Sequence, residues 1–487
     1  MIILDNEIFK YYIRRMDDKM RILSDIRTWI VVFFLIRLIG ITNPPLEVGH
    51  NWRQTTVTMV ARNFLEIDSN ILYPRVDMAG EKTGITGMEF PIFNYMIYCV
   101  SEIFGYQHWY GRLLNLLVSS LGVWFFFLLI RKYFNDSVGF ISSIILLVSI
   151  WFQYSRKIMP DTFSVSLVIA GIYYGSKYLD AVNRRFSLLY LGMGSLFIAL
   201  GVLAKLPAGF MLVVFALFLF DRSILAHRRI VFSILTALAI VPGLLWYALW
   251  VPRLVEDFGF WHFFMGEDVL TGFQDIIRFI PDVLRNFYDS ALKFIGFGFF
   301  LFGLYTVWRD RNKRVAVVFF LSFLSFSLVV IKAGRTFAHH DYYIIPFVPV
   351  MSLIAGYGLS RVRIRMLSNF FLLMISIEGV SNQQHDFFLR DKEKGLLNLE
   401  HDLDRLSNRS DLILINSGNY PTPMYFAHRK GWIMTNEAIM VKRDLDSLVN
   451  LGLKHVVVLK RAFGSEILLE TGSRIYDCND YAIYSLR

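Results

Sequence analysis

The sequence predicts a polytopic α-helical membrane protein with about eleven transmembrane helices, followed by a small α/β domain outside the membrane. Apolar runs close to the length that crosses a bilayer recur through residues 28–380. Composition is shifted to match, with 55% hydrophobic and 18% charged residues and 45 Phe in 487 positions. Soluble domains are about 45–50% apolar and about 25% charged. Lys and Arg collect in alternate short loops, which gives the chain a sidedness.

In order, the predicted spans are 28–43, 112–130, 137–155, 162–179, 187–204, 207–221, 230–250, 291–308, 315–331, 343–360 and 366–380. Segment 90–104 (FPIFNYMIYCVSEIF) is apolar but short, and it carries Asn94 and Glu102. It reads as an interfacial or re-entrant helix. With 90–104 outside the count and the N-terminus inside, the cytoplasmic loops hold Arg131–Lys132, Lys177 with Arg184–Arg185, Arg222 with Arg228–Arg229, Arg309 to Arg314, and Arg361, Arg363 and Arg365. Counting 90–104 as a span would turn all of these outward while the basic N-terminus stayed inside, against the positive-inside rule. The expected location is therefore the cytoplasmic membrane, crossed many times, with the C-terminal domain on the outer face.

This topology sets the domains. Residues 1–27 form a basic cytoplasmic segment with no cleavable signal peptide visible, 28–380 the membrane domain, and 381–487 the outer domain. Long outer loops fall at 44–110 and 251–290. The tail alternates helix-like LEHDLDRL with strand-like DLILINSG, HVVVLK and YAIYSL. The formal charge of +10 is accounted for by the loops and does not point to nucleic acid. Cys99 and Cys478 lie far apart and suggest neither a disulfide framework nor a zinc site.

Two outer segments break the charge rule. SRKIMPD contains Arg156, Lys157 and Asp161, and KAGRTFAHHDYY contains Lys332, Arg335, His339, His340 and Asp341. Ionisable groups at membrane depth tend to be functional. The competing reading is interfacial snorkelling. The first outer loop adds His50, Asn51, Arg53 and Gln54, then an amphipathic helix with Val57, Val60, Ala61 and Phe64 at helical spacing. Arg53, Arg62 and Lys82 are candidate anion donors, and His50, Asp77, Glu81 and Glu89 candidate bases.

Taken together, these segments resemble the GT-C superfamily of membrane glycosyltransferases. Specifically, they resemble the bacterial aminoarabinose transferases acting on lipid A and the related protein O-mannosyltransferases (glycosyltransferase family 39-like). The stretches that carry the resemblance, in order, are VARNFLEIDSNILYPRV, EFPI, Arg112, MPDTF, LAKLPAGF around Lys205, FWHFF at 260–264, HHDYYIIPFVPVMSLIAGYG and DLILINSGNYPTPMYFAHRKGW. The resemblance implies transfer of a sugar from a polyprenyl-phosphate-linked donor to a lipid, glycan or protein acceptor at the outer membrane face. Such chemistry needs a base for the acceptor and cations for the departing phosphate.

The sequence departs from the family where an Asp-Glu pair is usual. By register from VARNF that pair falls on Arg53 and Gln54, and Phe90 stands where a lysine usually precedes the Pro of EFPI. The nearest replacement bases are His50 and Glu47. The resulting expectation places His50, Asp161 and Glu89 in catalysis, and Arg53, Gln54, Lys82, Lys205, Lys332 and Arg335 at the donor phosphate. Asn51, Arg62, His262, His340 and Tyr342 are expected in the vicinity of donor or acceptor. Asp161 is the rival base or the partner that orients His50. Its other reading is an N-cap for a helix starting at Thr162. No metal ligands and no certain cofactor are read, although the chemistry leaves room for a divalent metal. Membrane lipid is an expected partner and nucleic acid is not. A transporter, which would show broken helices in matched halves, and a non-catalytic binder of lipid-linked glycans are the alternatives.

Overall fold

Residues 22–181, 184–260, 266–463, 467, 469 and 472–486 are described in the structure, a computed structural model. Helices occupy every predicted apolar segment: α1 Ile26–Arg37, α2 Asn51–Glu66, α3 Ile92–Phe104, α4 Tyr110–Tyr133, α5 Asp136–Val148, α6 Pro160–Asp180, α7 Arg184–Ala204, α8 Leu206–Phe220, α9 Ala226–Phe258, α10 Val269–Arg278, α11 Lys293–Arg309, α12 Lys313–Ala333, α13 Asp341–Ser360 and α14 Arg365–Ser381. Among the described residues, 5 are long and apolar enough to cross a membrane as single helices. A sixth span arises if Ile280–Ala291 and α11, bent by 97°, are taken together.

Several spans are broken where the sequence reads as continuous, each for a visible reason. The predicted span 137–155 stops at Val148 because Ser149 turns extended, with ψ −170°. The freed carbonyls of Val148 and Ser149 are recovered by the Gln383 amide at 3.1 and 3.0 Å, as buried backbone groups require. Leu206–Phe215 winds as a 3-10 helix. In α9, Pro242 sits inside the helix and a π turn follows at Trp246–Trp250; proline removes a backbone donor, and such irregularities accompany it.

Helix α2 corrects the amphipathic reading. Val57 and Ala61 pack with Phe93, Ile97 and Phe163 of the membrane domain, whereas Met59, Val60 and Phe64 pack against Ile413, Tyr425 and Val457 of the C-terminal domain. The helix is apolar on two faces because it is buried between two bodies. Its polar residues are paired rather than solvated: Thr55 Oγ1 meets Thr422 Oγ1 at 3.1 Å, and Arg62 reaches the Tyr425 carbonyl at 3.0 Å.

The bundle has two chemically distinct ends. At one end Lys132 pairs with Asp180 at 2.5 Å, Arg314 donates to the Tyr133 carbonyl at 3.1 Å, and Arg228 donates to the Ala181 carbonyl. These are the residues of the basic loops. The opposite end holds the long loop 44–110 and the C-terminal domain, docked by Gly431 N to Asp77 O at 3.0 Å and Gly80 N to Gly431 O at 2.7 Å.

The C-terminal domain is a five-stranded sheet of order β2-β1-β3-β5-β4, built from β1 Leu412–Ile415, β2 Gly431–Ile433, β3 Leu453–Leu459, β4 Ser473–Asp477 and β5 Tyr481–Ser485. Strands β2, β1 and β3 run parallel, and β5 and β4 close one edge antiparallel. Helices Thr422–Ala427, between β1 and β2, and Lys442–Asn450, between β2 and β3, supply the crossovers expected of parallel pairs, and helix Leu399–Leu406 leads into β1. Cys99 and Cys478 are free thiols.

Candidate functional site

Helix α1 ends at Arg37, and the chain runs through turns past Pro44 and Pro45 to Gly49 and His50, where it enters α2. A side chain at Gly49 would meet Asp386 Oδ1 at 2.6 Å. His50 stands just before α2 in the left-handed region, with φ 53°. That conformation is uncommon for a non-glycine residue and is held only where its surroundings over-determine it.

The surroundings are specific. His50 Nε2 lies 3.0 Å from Asp341 Oδ1, and Tyr154 Oη donates to the same oxygen at 2.5 Å. The rings of Tyr342, His340 and Tyr154 stand 5.0, 5.7 and 5.9 Å from the His50 ring. Trp52 closes the group, 5.9 Å from His340. The His50 and Asp341 side chains are 18% and 34% exposed, so the pair is sheltered but reachable. Burial, followed by the adjacent His50, pushes His340 down to about 4, which leaves it neutral near pH 7.

Beside this pair stand two cation–carboxylate pairs. Lys205 is in contact with Asp161, and Arg53 with Glu89. In each pair the carboxylate is the deeper partner: Asp161 is 2% and Glu89 3% exposed, against 14% for Lys205 and 11% for Arg53. Lys205 Nζ also sits 4.9 Å from the Tyr342 ring and 5.5 Å from Tyr343. Arg53 acts electrostatically on Lys205, Tyr342 and Tyr343. Tyr342 therefore touches both the histidine and the cationic side of the cluster.

The partner assignments differ from the sequence expectation. The carboxylate on His50 is Asp341, and Asp161 is committed to Lys205. Asp161 does not cap its helix, which begins at Pro160 with Met159 as an N-cap that makes no side-chain bond. Glu89 lies behind Arg53, so it buttresses the guanidinium rather than reaching an acceptor. Glu47 is held between Arg112 and Arg156, both at 3.4 Å.

Gln54 is fully buried, donating to Glu47 at 3.3 Å and accepting from Ile158 N at 3.2 Å. Both ends of its amide are therefore occupied by these two partners. Asn51 is likewise buried and spent on Glu393 and Tyr420. Arg62 binds Asp77 at 2.8 Å and anchors the C-terminal domain.

The remaining expected donors make their contacts elsewhere. Lys82 donates to the Gly259 carbonyl and Lys332 to the Glu267 carbonyl. The Arg335 guanidinium lies over Phe279 at 5.8 Å. His262 lies outside the described residues. Asp341, Tyr154 and Trp52 were absent from the expected site. Only Asp341 carried a signal, as part of the HHDYY cluster. Among the described residues, no group of three or more His, Cys, Asp or Glu is placed to hold a metal ion.

Comparisons with known proteins agree with this architecture. The family model for dolichyl-phosphate-mannose-protein mannosyltransferases matches residues 89–246. The fold is similar to that of ArnT from Cupriavidus metallidurans in the apo state, with TM-score 0.59 at 12% identity over 94% of this chain and 98% of that one. The undecaprenyl-phosphate-bound form of ArnT gives TM-score 0.58 at 13% identity, with the same coverage of both chains. The archaeal oligosaccharyltransferase AglB from Archaeoglobus fulgidus, in complex with an inhibitory peptide and a dolichol-phosphate, gives TM-score 0.55 at 14% identity over 89% of this chain and 69% of that one. No curated protein matches by sequence. The resemblance to GT-C membrane glycosyltransferases read from the sequence holds in both the family model and the fold.

Proposed function

From a chain with the GT-C glycosyltransferase fold, we propose a membrane glycosyltransferase that moves a sugar from a polyprenyl-phosphate-linked donor to a lipid, glycan or protein acceptor at the outer face of the cytoplasmic membrane. The observation that carries the reading is the adjacency of a His–carboxylate pair to two cations, each backed by a deeper carboxylate. The first suits proton removal, and the second suits a phosphate leaving group. The undecaprenyl phosphate bound to ArnT and the dolichol-phosphate bound to AglB support a lipid phosphate as the donor's carrier.

In this scheme the acceptor's O–H or N–H gives its proton to His50. Asp341 orients the imidazole and stabilises it once protonated, and Tyr154 fixes Asp341. The acceptor atom forms a bond to the anomeric carbon. The bond from that carbon to the phosphate oxygen breaks, and its electron pair leaves with polyprenyl phosphate. Lys205 and Arg53 meet the charge that develops on the phosphate. His50, Lys205 and Arg53 are the proposed catalytic residues, whereas Asp341, Tyr154, Asp161 and Glu89 are positioning residues.

The topology belongs to the same proposal: an odd number of spans, about eleven, a cytoplasmic N-terminal segment 1–27, a membrane domain 28–380 and an outer domain 381–487. One-sided clustering of the basic loops, at the end opposite His50, supports it. The experiment is sugar transfer by the purified chain from an undecaprenyl-phosphate-linked labelled sugar, with released undecaprenyl phosphate measured in parallel. Equal release of labelled product and lipid phosphate is expected. Tight binding of the donor without turnover, across acceptor classes, would favour a binder instead.

A further inference from the structure

A second chemical feature lies far from the His50 cluster. At the basic end of the bundle, helices α4, α6, α8, α12 and α13 enclose a half-open cavity of about 650 Å³. Its walls are apolar, with Leu129, Ile172, Val214, Val318, Leu321 and Leu353 among them. Helix α4 runs 24 residues from the site end to this end, roughly 36 Å at 1.5 Å per residue. The cavity therefore shares no residue with the site described above.

Its mouth is cationic. Lys313 and Arg314 line it and are exposed. They occupy the first turn of α12, a helix end that already favours an anion. Arg314 uses Nη1 on the Tyr133 carbonyl at 3.1 Å, and this holds its guanidinium at the rim. Asp221 is the one acid in the lining among the described residues. It accepts from Ser223 N at 2.9 Å and Ser223 Oγ at 2.6 Å and also feels the charge of Arg314. Two cations against one carboxylate leave a net positive charge to face an incoming ligand, in front of a wall that suits hydrocarbon. Basic pockets between transmembrane helices take anionic lipid headgroups, and the cytoplasmic leaflet supplies them.

We infer that this cavity is a binding site for an anionic glycerophospholipid, with an acyl chain between α4, α8 and α12 and the phosphate at Lys313 and Arg314. The inference is independent of the sugar-transfer reading. It needs a basic, membrane-embedded end, whatever the activity.

The test is native mass spectrometry of the full chain in detergent, challenged with phosphatidylglycerol, phosphatidylcholine of the same acyl chains, and undecaprenyl phosphate. Phosphatidylglycerol should be retained over phosphatidylcholine. Lys313→Ala should weaken its retention about fivefold and Lys313→Ala with Arg314→Ala about thirtyfold, from roughly 1 kcal/mol per surface cation. Because Arg314 also binds Tyr133, Val318→Trp is the second variant: it fills the cavity and leaves both cations in place. It should also release phosphatidylglycerol, with thermal unfolding reporting that the chain remains folded. Equal retention of the two phospholipids, or unchanged binding in Lys313→Ala and in Val318→Trp, would overturn the inference. So would undecaprenyl phosphate displacing phosphatidylglycerol in a Val318-dependent way, which would make the cavity a prenyl-phosphate site.

Discussion

His50 and Asp341 are 291 residues apart in sequence, yet Nε2 of one and Oδ1 of the other are 3.0 Å apart. The contact joins the residue just before α2 to the first residue of α13. If His50 is the base, His50→Ala should lower transfer about 10²–10⁴-fold, the usual worth of a positioned acid or base. Asp341→Asn should lower it less, because the imidazole keeps its place but loses the carboxylate that orients it. Near-normal rates in both variants would remove the pair from the chemistry.

Lys205→Met should abolish most transfer, by about 10²-fold or more if the ammonium meets the leaving phosphate. It also strands Asp161, and breaking a buried pair costs about 3–5 kcal/mol. Folded yield must therefore be measured beside activity. The double variant Lys205→Met with Asp161→Asn should recover thermal stability without recovering transfer. Recovery of both would make the pair purely structural.

The Arg53–Glu89 pair gives a parallel case. Among the described residues, neither Glu89 oxygen has another hydrogen-bond partner. Arg53→Gln should lower unfolding stability by about 3–5 kcal/mol, and adding Glu89→Gln should restore most of it. Transfer should stay low in the double variant, since the cation is gone.

A topology readout comes from Ser473, an exposed residue at the start of β4. With Cys99 and Cys478 replaced, Ser473→Cys should react with an impermeant thiol reagent in intact cells, after permeabilisation of the outer membrane where there is one. Labelling that appears only after lysis of the inner membrane would place the C-terminal domain on the other side.

The C-terminal domain should dock less firmly at alkaline pH. His428 bridges Glu400 and Glu66, both at 2.7 Å, with Arg62 and Arg409 nearby. Burial lowers the His428 pKa, but the bonds to Glu400 and Glu66 outweigh it and leave the value raised. Its contribution is complete below the ordinary histidine range, about 6.5, and is lost as pH rises through the raised value. Glu66 and Glu400 are lowered, so their contribution is lost only as pH falls through their own values. Proteolytic release of the domain should therefore increase from pH 6 to pH 9 in the unsubstituted chain. His428→Gln should flatten that rise, and an unchanged slope would exclude the clamp.

What the sequence determined by itself is the part of the structure written in local chemistry. Apolar runs demand helices in lipid, so every predicted apolar segment is helical, and 90–104 appears as the separate helix α3. Alternating short apolar stretches near the end of the chain made the sheet legible, because strand periodicity is also local. Candidate groups were legible too: His50 and Arg53 as neighbours at the start of the first long loop, and Lys205 through the LAKLPAGF stretch of the family resemblance. Their partners were not. Which carboxylate meets His50 depends on how α2, α6 and α13 pack, and packing is a property of distant segments brought together. Asp161 and Asp341 look equivalent in sequence, as acids at outer helix ends. Only the tertiary structure gives one to Lys205 and the other to His50, since a buried charge must take the counter-charge that packing brings within reach. The same holds for α2, whose polar positions read as solvated until the C-terminal domain is seen to bury them.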